Sequence, residues 1–115
     1  MNLGNIKEKI LDFRNKRDWK QFHDPKNLAI AMSIESSELL ELFLWKSRAE
    51  SRKIVKDKKE EMADELADIL TFAILFAHEV DINIEEAILS KLKKNDKKYP
   101  VNKSKGLSKK YTELE

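Results

Sequence analysis

The sequence predicts an all-α fold, and three observations support this prediction. Only two of the 115 residues are glycine and two are proline, which is too few turn-forming residues for a many-stranded β fold. Lys, Glu, Leu, Ile and Ala dominate the composition, which favours helices. Apolar residues recur at intervals of three and four along most of the chain. At 41% apolar residues, a chain of this length has material for one compact domain.

Four segments have the helical spacing of apolar residues. The second opens with Asp24-Pro25, in which Asp is an N-cap and Pro occupies the first helical position. Asp57 and Glu60 have the spacing of a capping box at the start of the third, and Asn83 caps the fourth. Residues 46–59 are strongly charged and are interpreted as a linker with one or two helical turns. The predicted helices are 3–17, 25–45, 57–80 and 83–96.

These helices predict an antiparallel four-helix bundle, with a helical domain over residues 1–100 and a basic tail over 101–115. The third helix is apolar on nearly all sides from Ile69 to Ala77. Such a helix must be buried on most sides, and one short chain covers it poorly. We therefore expect a homo-oligomer, a dimer or a tetramer, formed through apolar helix faces.

Composition excludes several classes of protein. No run approaches 18 uncharged apolar residues, so we expect no membrane span. The charges of Lys7, Glu8 and Lys9 interrupt the only candidate signal-peptide stretch. Without cysteine there is no disulfide framework and no thiolate metal site. The predicted location is cytoplasmic.

The net charge of +2 conceals an asymmetry. Residues 1–90 contain 14 Lys and Arg against 18 Asp and Glu, whereas residues 91–110 contain nine Lys against Asp96. A basic tail of this kind can contact nucleic acid, phosphates or an acidic partner, and it can equally be a solvated terminus. The acidic body and the lack of a recognition-helix motif argue against nucleic acid as a partner.

Two helices contain acidic residues among apolar neighbours. Glu35 and Glu38 lie one turn apart on the second helix, and Glu65 and Asp68 have the same spacing on the third. A single pair of this kind is common on a solvated helix. Two pairs on neighbouring helices can bring four carboxylates into a small volume, where like charges disfavour joint ionisation. A divalent cation is the natural partner of such a cluster.

Oxygen ligands favour Mg²⁺, with Mn²⁺ as the alternative, over zinc. A carboxylate di-iron bundle would need Glu-x-x-His pairs, and neither His23 nor His78 has Glu three residues before it. Because Mg²⁺ keeps several waters and takes substrate phosphates as further ligands, the cluster indicates nucleotide chemistry.

Several strings stand out along the sequence, namely RDWKQFH at 17–23, PKNL at 25–28, ESSELLELFLW at 35–45, ELADIL at 65–70, Lys91, Asn95, Tyr99-Pro100 and SKKYTEL at 108–114. These strings resemble the motifs of the MazG-like nucleotide pyrophosphohydrolases, and among them those of the dCTP pyrophosphatase group. The resemblance covers nearly the whole chain, with the motifs in order.

The resemblance implies Mg²⁺-dependent hydrolysis of a nucleoside triphosphate to the monophosphate and pyrophosphate, by a homo-oligomer that is usually a dimer of dimers. It assigns the metal to Glu35, Glu38, Glu65 and Asp68. Cleavage also needs a positioned water. We expect Glu38 to orient or deprotonate this water, with Glu65 as the second catalytic residue. The resemblance further implies a substrate-binding set, which is Trp19, His23, Trp45, Phe72, Lys91 and Asn95.

The chain departs from the dCTP-specific relatives near the base. It has Ile10 where they place histidine, and Phe72 where they place tyrosine. Because hydrogen-bonding groups discriminate bases, these changes affect substrate choice more than reaction class. We expect dCTP or a modified dCTP as the substrate in nucleotide-pool house-cleaning, ahead of a broader range. The alternative is a non-catalytic helical oligomer that binds nucleotide or nucleic acid through its Lys-rich tail.

Overall fold

A computed structural model describes residues 2–115 of the protein. The described chain consists of helices, turns and loops, which confirms the all-α prediction. It contains the four predicted helices and two shorter ones, together with 3-10 turns at Lys20–Phe22 and Tyr111–Glu113. The helices are α1 (Leu3–Lys16), α2 (Pro25–Glu41), α3 (Arg48–Asp57), α4 (Lys59–Glu79), α5 (Ile84–Lys98) and α6 (Val101–Ser104).

Two of the predicted helix starts are confirmed at atomic level. The side chain of Asp24 accepts a hydrogen bond from the Asn27 backbone N–H at 2.8 Å, with Pro25 directly after the cap. The side chain of Asn83 accepts from the Glu86 N–H at 3.0 Å. In both cases the cap satisfies a backbone donor that the first helical turn leaves without a partner.

The segment between α2 and α4 differs from the prediction. The capping box expected at Asp57 is wrong, because α4 follows Lys58 and has no side-chain cap. The capping box instead lies at Ser47 and Glu50, where each side chain binds the other residue's backbone N–H at 3.2 Å. It starts α3, a ten-residue helix in place of the predicted linker.

The chain divides into two compact units, the first ending at Asp81 and the second comprising Ile82–Glu115. In the second unit, α5 extends two residues beyond the expected end at Asp96. Regular structure also continues past Pro100, since α6 forms one further helical turn. The division into a catalytic domain over 1–100 and a tail over 101–115 stays a prediction.

The first unit is organised around α4. Helix α2 packs along it more extensively than any other element, while α1 and α3 make smaller contacts with it. The buried apolar residues belong to these two helices and are Leu28 on α2 and Ile74, Leu75 and Ala77 on α4. Farther toward the start of α4, Leu66 is 51% exposed and Leu70 is 47% exposed, so the single chain does not cover this helix.

A partly buried ion pair joins α1 to the end of α4. The Nη1 of Arg14 donates to Oε1 of Glu79 at 2.7 Å, and Arg14 is only 3% exposed. The pair connects residues 65 positions apart in the sequence. It therefore fixes the position of α1 on α4 with a directional contact as well as with apolar packing.

No helix within residues 2–115 combines the length and the apolar character that crossing a bilayer requires. The cytoplasmic location stays a prediction.

Replacing Ser47 by Ala removes the side-chain half of the capping box on α3. We expect the free energy of unfolding to fall by about 1 kcal/mol, the usual cost of losing a serine cap. Urea unfolding followed by circular dichroism measures the change. Ser51→Ala, the same substitution inside the same helix, should leave stability unchanged or slightly raised; equal losses in both variants would contradict a capping role.

Candidate metal and nucleotide site

The packing of α2 on α4 brings three predicted metal ligands together. Glu35 and Glu38 of α2 and Glu65 of α4 each offer a carboxylate oxygen, and these three oxygens lie within 4.8 Å of one another. On α2, Glu35 and Glu38 lie on nearly the same side of the helix because a spacing of three residues is close to one turn. The cluster thus combines residues 30 positions apart in sequence.

Two of the carboxylates contain oxygens that are buried without a hydrogen-bond partner. These atoms are Oε2 of Glu35 and Oε2 of Glu65, whereas Glu38 is exposed. A buried polar atom without a partner is costly, and it needs a proton, a donor or a cation. Inward-facing carboxylate oxygens at this spacing fit a hard divalent cation such as Mg²⁺ or Mn²⁺.

The protonation of the cluster reflects the same crowding. The Glu65 carboxyl group beside Glu35, the burial of Glu35 and the charges of Glu38 and Asp68 raise the pKa of Glu35 to about 7. The contact with Glu35 acts in the opposite direction on Glu65, but burial and the charges of Glu38 and Asp68 outweigh it, so the pKa of Glu65 is also raised. Without a cation, the two facing carboxylates share a proton.

Asp68, the fourth predicted ligand, is exposed on α4 and lies outside the three-oxygen cluster. Its negative charge nevertheless raises the pKa of both Glu35 and Glu65. It is therefore close enough to act on the cluster electrostatically. Its role as a direct ligand stays a prediction.

Trp19 lies in the connection between α1 and α2, as predicted, and is partly exposed. Its ring meets the edge of Phe13 with centroids 5.8 Å apart and an angle of 74° between the planes. The guanidinium of Arg17 lies 3.6 Å from the centre of the Phe13 ring and 5.9 Å from that of Trp19. These contacts favour one orientation of Trp19, which stays 43% exposed to solvent.

His23 follows at the end of the same connection and is half-buried. Its Nδ1 atom is buried without a hydrogen-bond partner. Burial, reinforced by the positive charge of Arg14 and opposed by the negative charge of Glu79, lowers the pKa of His23. The imidazole is therefore neutral at pH 7 and can offer a donor on one nitrogen and an acceptor on the other.

Trp45 and Phe72 have different environments. Trp45 is 92% exposed and has a φ of 61°, a left-handed conformation at the end of the turns that follow α2. Phe72 is half-buried on α4, one turn beyond Asp68. An exposed tryptophan of this kind is available for stacking on a planar ligand.

Lys91 and Asn95 belong to the second compact unit. They line a groove of about 430 Å³ along α5, together with five apolar residues, Ile82, Ile84, Ala87, Ile88 and Leu92. Their side chains lie one turn apart on the same face of the helix. Polar groups at the edge of an apolar groove are suited to orienting a bound molecule.

Comparisons with known proteins show the family to which the chain belongs. The MazG-like family profile matches residues 30–114, which include all four predicted metal ligands. Rat dCTP pyrophosphatase 1 is 40% identical over 114 residues, and the human protein of the same name is 37% identical. Each alignment covers 97% of this chain and 67% of the relative, so the chain spans about two thirds of the length of these proteins.

A solved structure gives the same result for the fold. A pyrophosphatase from Archaeoglobus fulgidus superimposes with a TM-score of 0.84 at 37% sequence identity, covering 87% of this chain and 94% of that one. The chain belongs to the MazG-like family. Its fold is that of a pyrophosphatase, and the named curated relatives are dCTP pyrophosphatases.

Sequence reasoning missed the Arg14–Glu79 pair beside His23. Charged residues near helix ends are usually solvated, and nothing in their spacing reveals a partner 65 positions away. One signal was present, since Arg14 lies four residues after Ile10 and so continues the row that Ile6 and Ile10 form on α1.

The raised pKa of Glu35 predicts a pH dependence of folding stability in metal-free protein. Between pH 4.5, its ordinary value, and about 7 the folded state retains a proton that the unfolded state has lost. The stability contributed by this proton is complete below pH 4.5 and disappears as the pH rises through 7. Chemical unfolding in EDTA at pH 5 to 8 should therefore show wild type losing stability relative to Glu35→Gln.

Glu41→Gln is the matched control for this experiment. Glu41 is exposed on α2 one turn beyond Glu38 and lies outside the three-oxygen cluster. The free energy of unfolding of Glu41→Gln should change with pH in the same way as that of wild type. A Glu35→Gln curve parallel to wild type would contradict the shared proton.

Proposed function

We propose that this protein is a metal-dependent nucleotide pyrophosphohydrolase that converts a nucleoside triphosphate and water to the monophosphate and pyrophosphate. The observation that carries the proposal is the convergence of Glu35, Glu38 and Glu65 in a chain of the MazG-like family. The names of the curated relatives and of the solved structure agree with this reaction class.

The metal would be held by Glu35, Glu38 and Glu65, with Asp68 as the fourth acidic residue. When bound, Mg²⁺ or Mn²⁺ supplies positive charge that neutralises the phosphate oxygens and polarises the bond to be broken. The buried oxygens of Glu35 and Glu65 favour this assignment, because a cation would replace the shared proton as their partner.

Glu38 is the residue we assign to the attacking water, with Glu65 in a supporting role. Glu38 is the exposed member of the three-oxygen cluster, so one of its oxygens can reach solvent while it stays beside the other two carboxylates. A carboxylate in that position can orient water and accept its proton. The proton leaves the water as its oxygen joins phosphorus, and pyrophosphate departs.

Base recognition is assigned to Trp19, Trp45, His23 and Phe72. The two tryptophans present open ring surface, and the neutral imidazole of His23 retains a free buried nitrogen. Exposed aromatic ring surface and a hydrogen-bonding nitrogen are the groups that a planar base requires. We propose dCTP or a modified dCTP as the substrate, in keeping with the named relatives.

Lys91 and Asn95 would contact the phosphates or the sugar. Lys91 is exposed and carries a positive charge that can meet phosphate, while Asn95 offers both a donor and an acceptor. Both lie on α5 within the basic part of the sequence, where lysines outnumber acidic residues nine to one over residues 91–110. The Lys-rich stretch would attract a triphosphate electrostatically.

A homo-oligomer, a dimer or a tetramer, forms part of the proposal. Several large apolar side chains of α2 and α4 stay exposed in the single chain, namely Ile30, Ile34, Leu66 and Leu70. Apolar surface of this extent is normally buried by association. A second copy is the natural occupant because each copy carries the same uncovered faces.

Pyrophosphate release from a panel of deoxynucleoside and nucleoside triphosphates tests the reaction. We expect turnover with Mg²⁺, highest with dCTP or a modified dCTP, and loss of turnover in EDTA. Glu38→Gln and Asp68→Asn should each lower kcat by about a hundredfold or more, because each removes charge from the site of reaction. Glu41→Gln is the matched control and should retain wild-type rates.

The same assay can also contradict the proposed reaction. One such result is that well-folded wild-type protein turns over no triphosphate but binds nucleotide or nucleic acid. If that binding weakens with salt and needs no Mg²⁺, it would favour the alternative of a binding protein that uses its Lys-rich tail.

Light scattering tests the oligomer. We expect a mass at micromolar concentration of two or four times 13.5 kDa. Leu70→Glu should lower it, because a carboxylate on the uncovered face of α4 opposes burial. Glu60→Gln is the control, because Glu60 is exposed in the first turn of α4, and it should leave the mass unchanged. A wild-type mass of 13.5 kDa would contradict association.

A further inference from the structure

Arg14 is the buried charged residue of the first compact unit. It is 3% exposed, although arginine is seldom buried without a specific partner. Its side chain makes two directional contacts. Nη1 donates to Glu79 at 2.7 Å, and Nε donates to the Asn15 side chain at 3.2 Å. The guanidinium is therefore held in one orientation between α1 and the end of α4.

The backbone of Arg14 supports the segment that follows α1. Its carbonyl oxygen accepts hydrogen bonds from the N–H of Arg17 at 3.2 Å and from the N–H of Trp19 at 3.1 Å. Between them Asp18 has a φ of 53°, a left-handed conformation that turns the chain sharply. The position of Trp19 is thus tied directly to the position of Arg14.

The same ion pair acts electrostatically on His23 at the other end of this segment. The charges of Arg14 and Glu79 both act on the imidazole, in opposite directions. The buried Nδ1 of His23 has no partner, so the ring keeps one hydrogen-bonding position unused. Arg14 therefore meets the segment at two points, through its backbone at Trp19 and through its charge at His23.

We propose that Arg14, held by Glu79, is a positioning residue that fixes Trp19 and His23 for contact with the nucleotide base. This inference rests on the proposed function, because it assigns the base to these two side chains. Arg14 acts through them and needs no contact with substrate. Glu79 contributes by fixing the guanidinium, and loss of either partner lets the segment between α1 and α2 move.

Arg14→Met tests the proposal through substrate kinetics. We expect KM for the best triphosphate to rise about tenfold while kcat changes less than about threefold, because binding is weakened without altering the groups at the bond that breaks. Glu79→Gln should have a smaller effect, since its amide oxygen can still accept from Arg14. Lys16→Met is the matched control, because Lys16 pairs with Asp12 on the exposed side of α1.

Two readouts are independent of turnover. In a Trp45→Phe background the remaining tryptophan is Trp19, and its emission should shift in Arg14→Met but not in Lys16→Met. Nuclear magnetic resonance gives the pKa of His23, with His78→Gln assigning the second histidine. Arg14→Met should raise that pKa, because it removes a positive charge, and Glu79→Gln should lower it.

The proposal is overturned if folded Arg14→Met loses stability while KM, Trp19 emission and the pKa of His23 all match the wild-type values. The ion pair would then serve only to hold α1 on α4. Failure of the proposed function looks different. Wild-type protein would then turn over no triphosphate, and the Trp19 and His23 signals would decide whether Arg14 positions the segment.

Discussion

The packing of α2 along α4 is the contact on which the rest of the structure depends. It accompanies the burial of Leu28 on α2, and it also brings Glu35 and Glu65 into proximity. Apolar burial stabilises the fold, whereas the facing carboxylates oppose it, because their charges repel and part of each is removed from water. The raised pKa of Glu35 reflects this conflict. A divalent cation would convert the repulsion into attraction, so the feature that costs stability in the free protein is the one that supports metal binding.

Much of this arrangement could be predicted from local patterns. Apolar periodicity located four helices, and the caps at Asp24 and Asn83 were correct, because both depend on interactions within four residues. The three-residue spacing of Glu35 and Glu38 placed them on one face of a helix. Their approach to Glu65 was only a hypothesis at that stage, since it depends on how two helices pack. Neither spacing nor composition could distinguish the exposed Glu38 from the half-buried Glu35.

The predictions that differ from the structure also have physical explanations. The 46–59 segment has few large apolar residues, so its periodicity was weak, and the capping box at Ser47 was overlooked in favour of the one expected at Asp57. The buried pair of Arg14 and Glu79 could not be predicted, because its partners lie on separate helices and charged residues are normally solvated.

The central claim is that the convergent carboxylates of α2 and α4 bind a divalent cation for nucleotide chemistry. Anomalous diffraction from crystals grown with Mn²⁺ and a non-hydrolysable triphosphate tests it most directly. The account predicts a manganese peak in contact with oxygens of Glu35, Glu38 and Glu65, with the triphosphate completing its coordination. A bound triphosphate with no manganese at these carboxylates, or with manganese elsewhere, would contradict it.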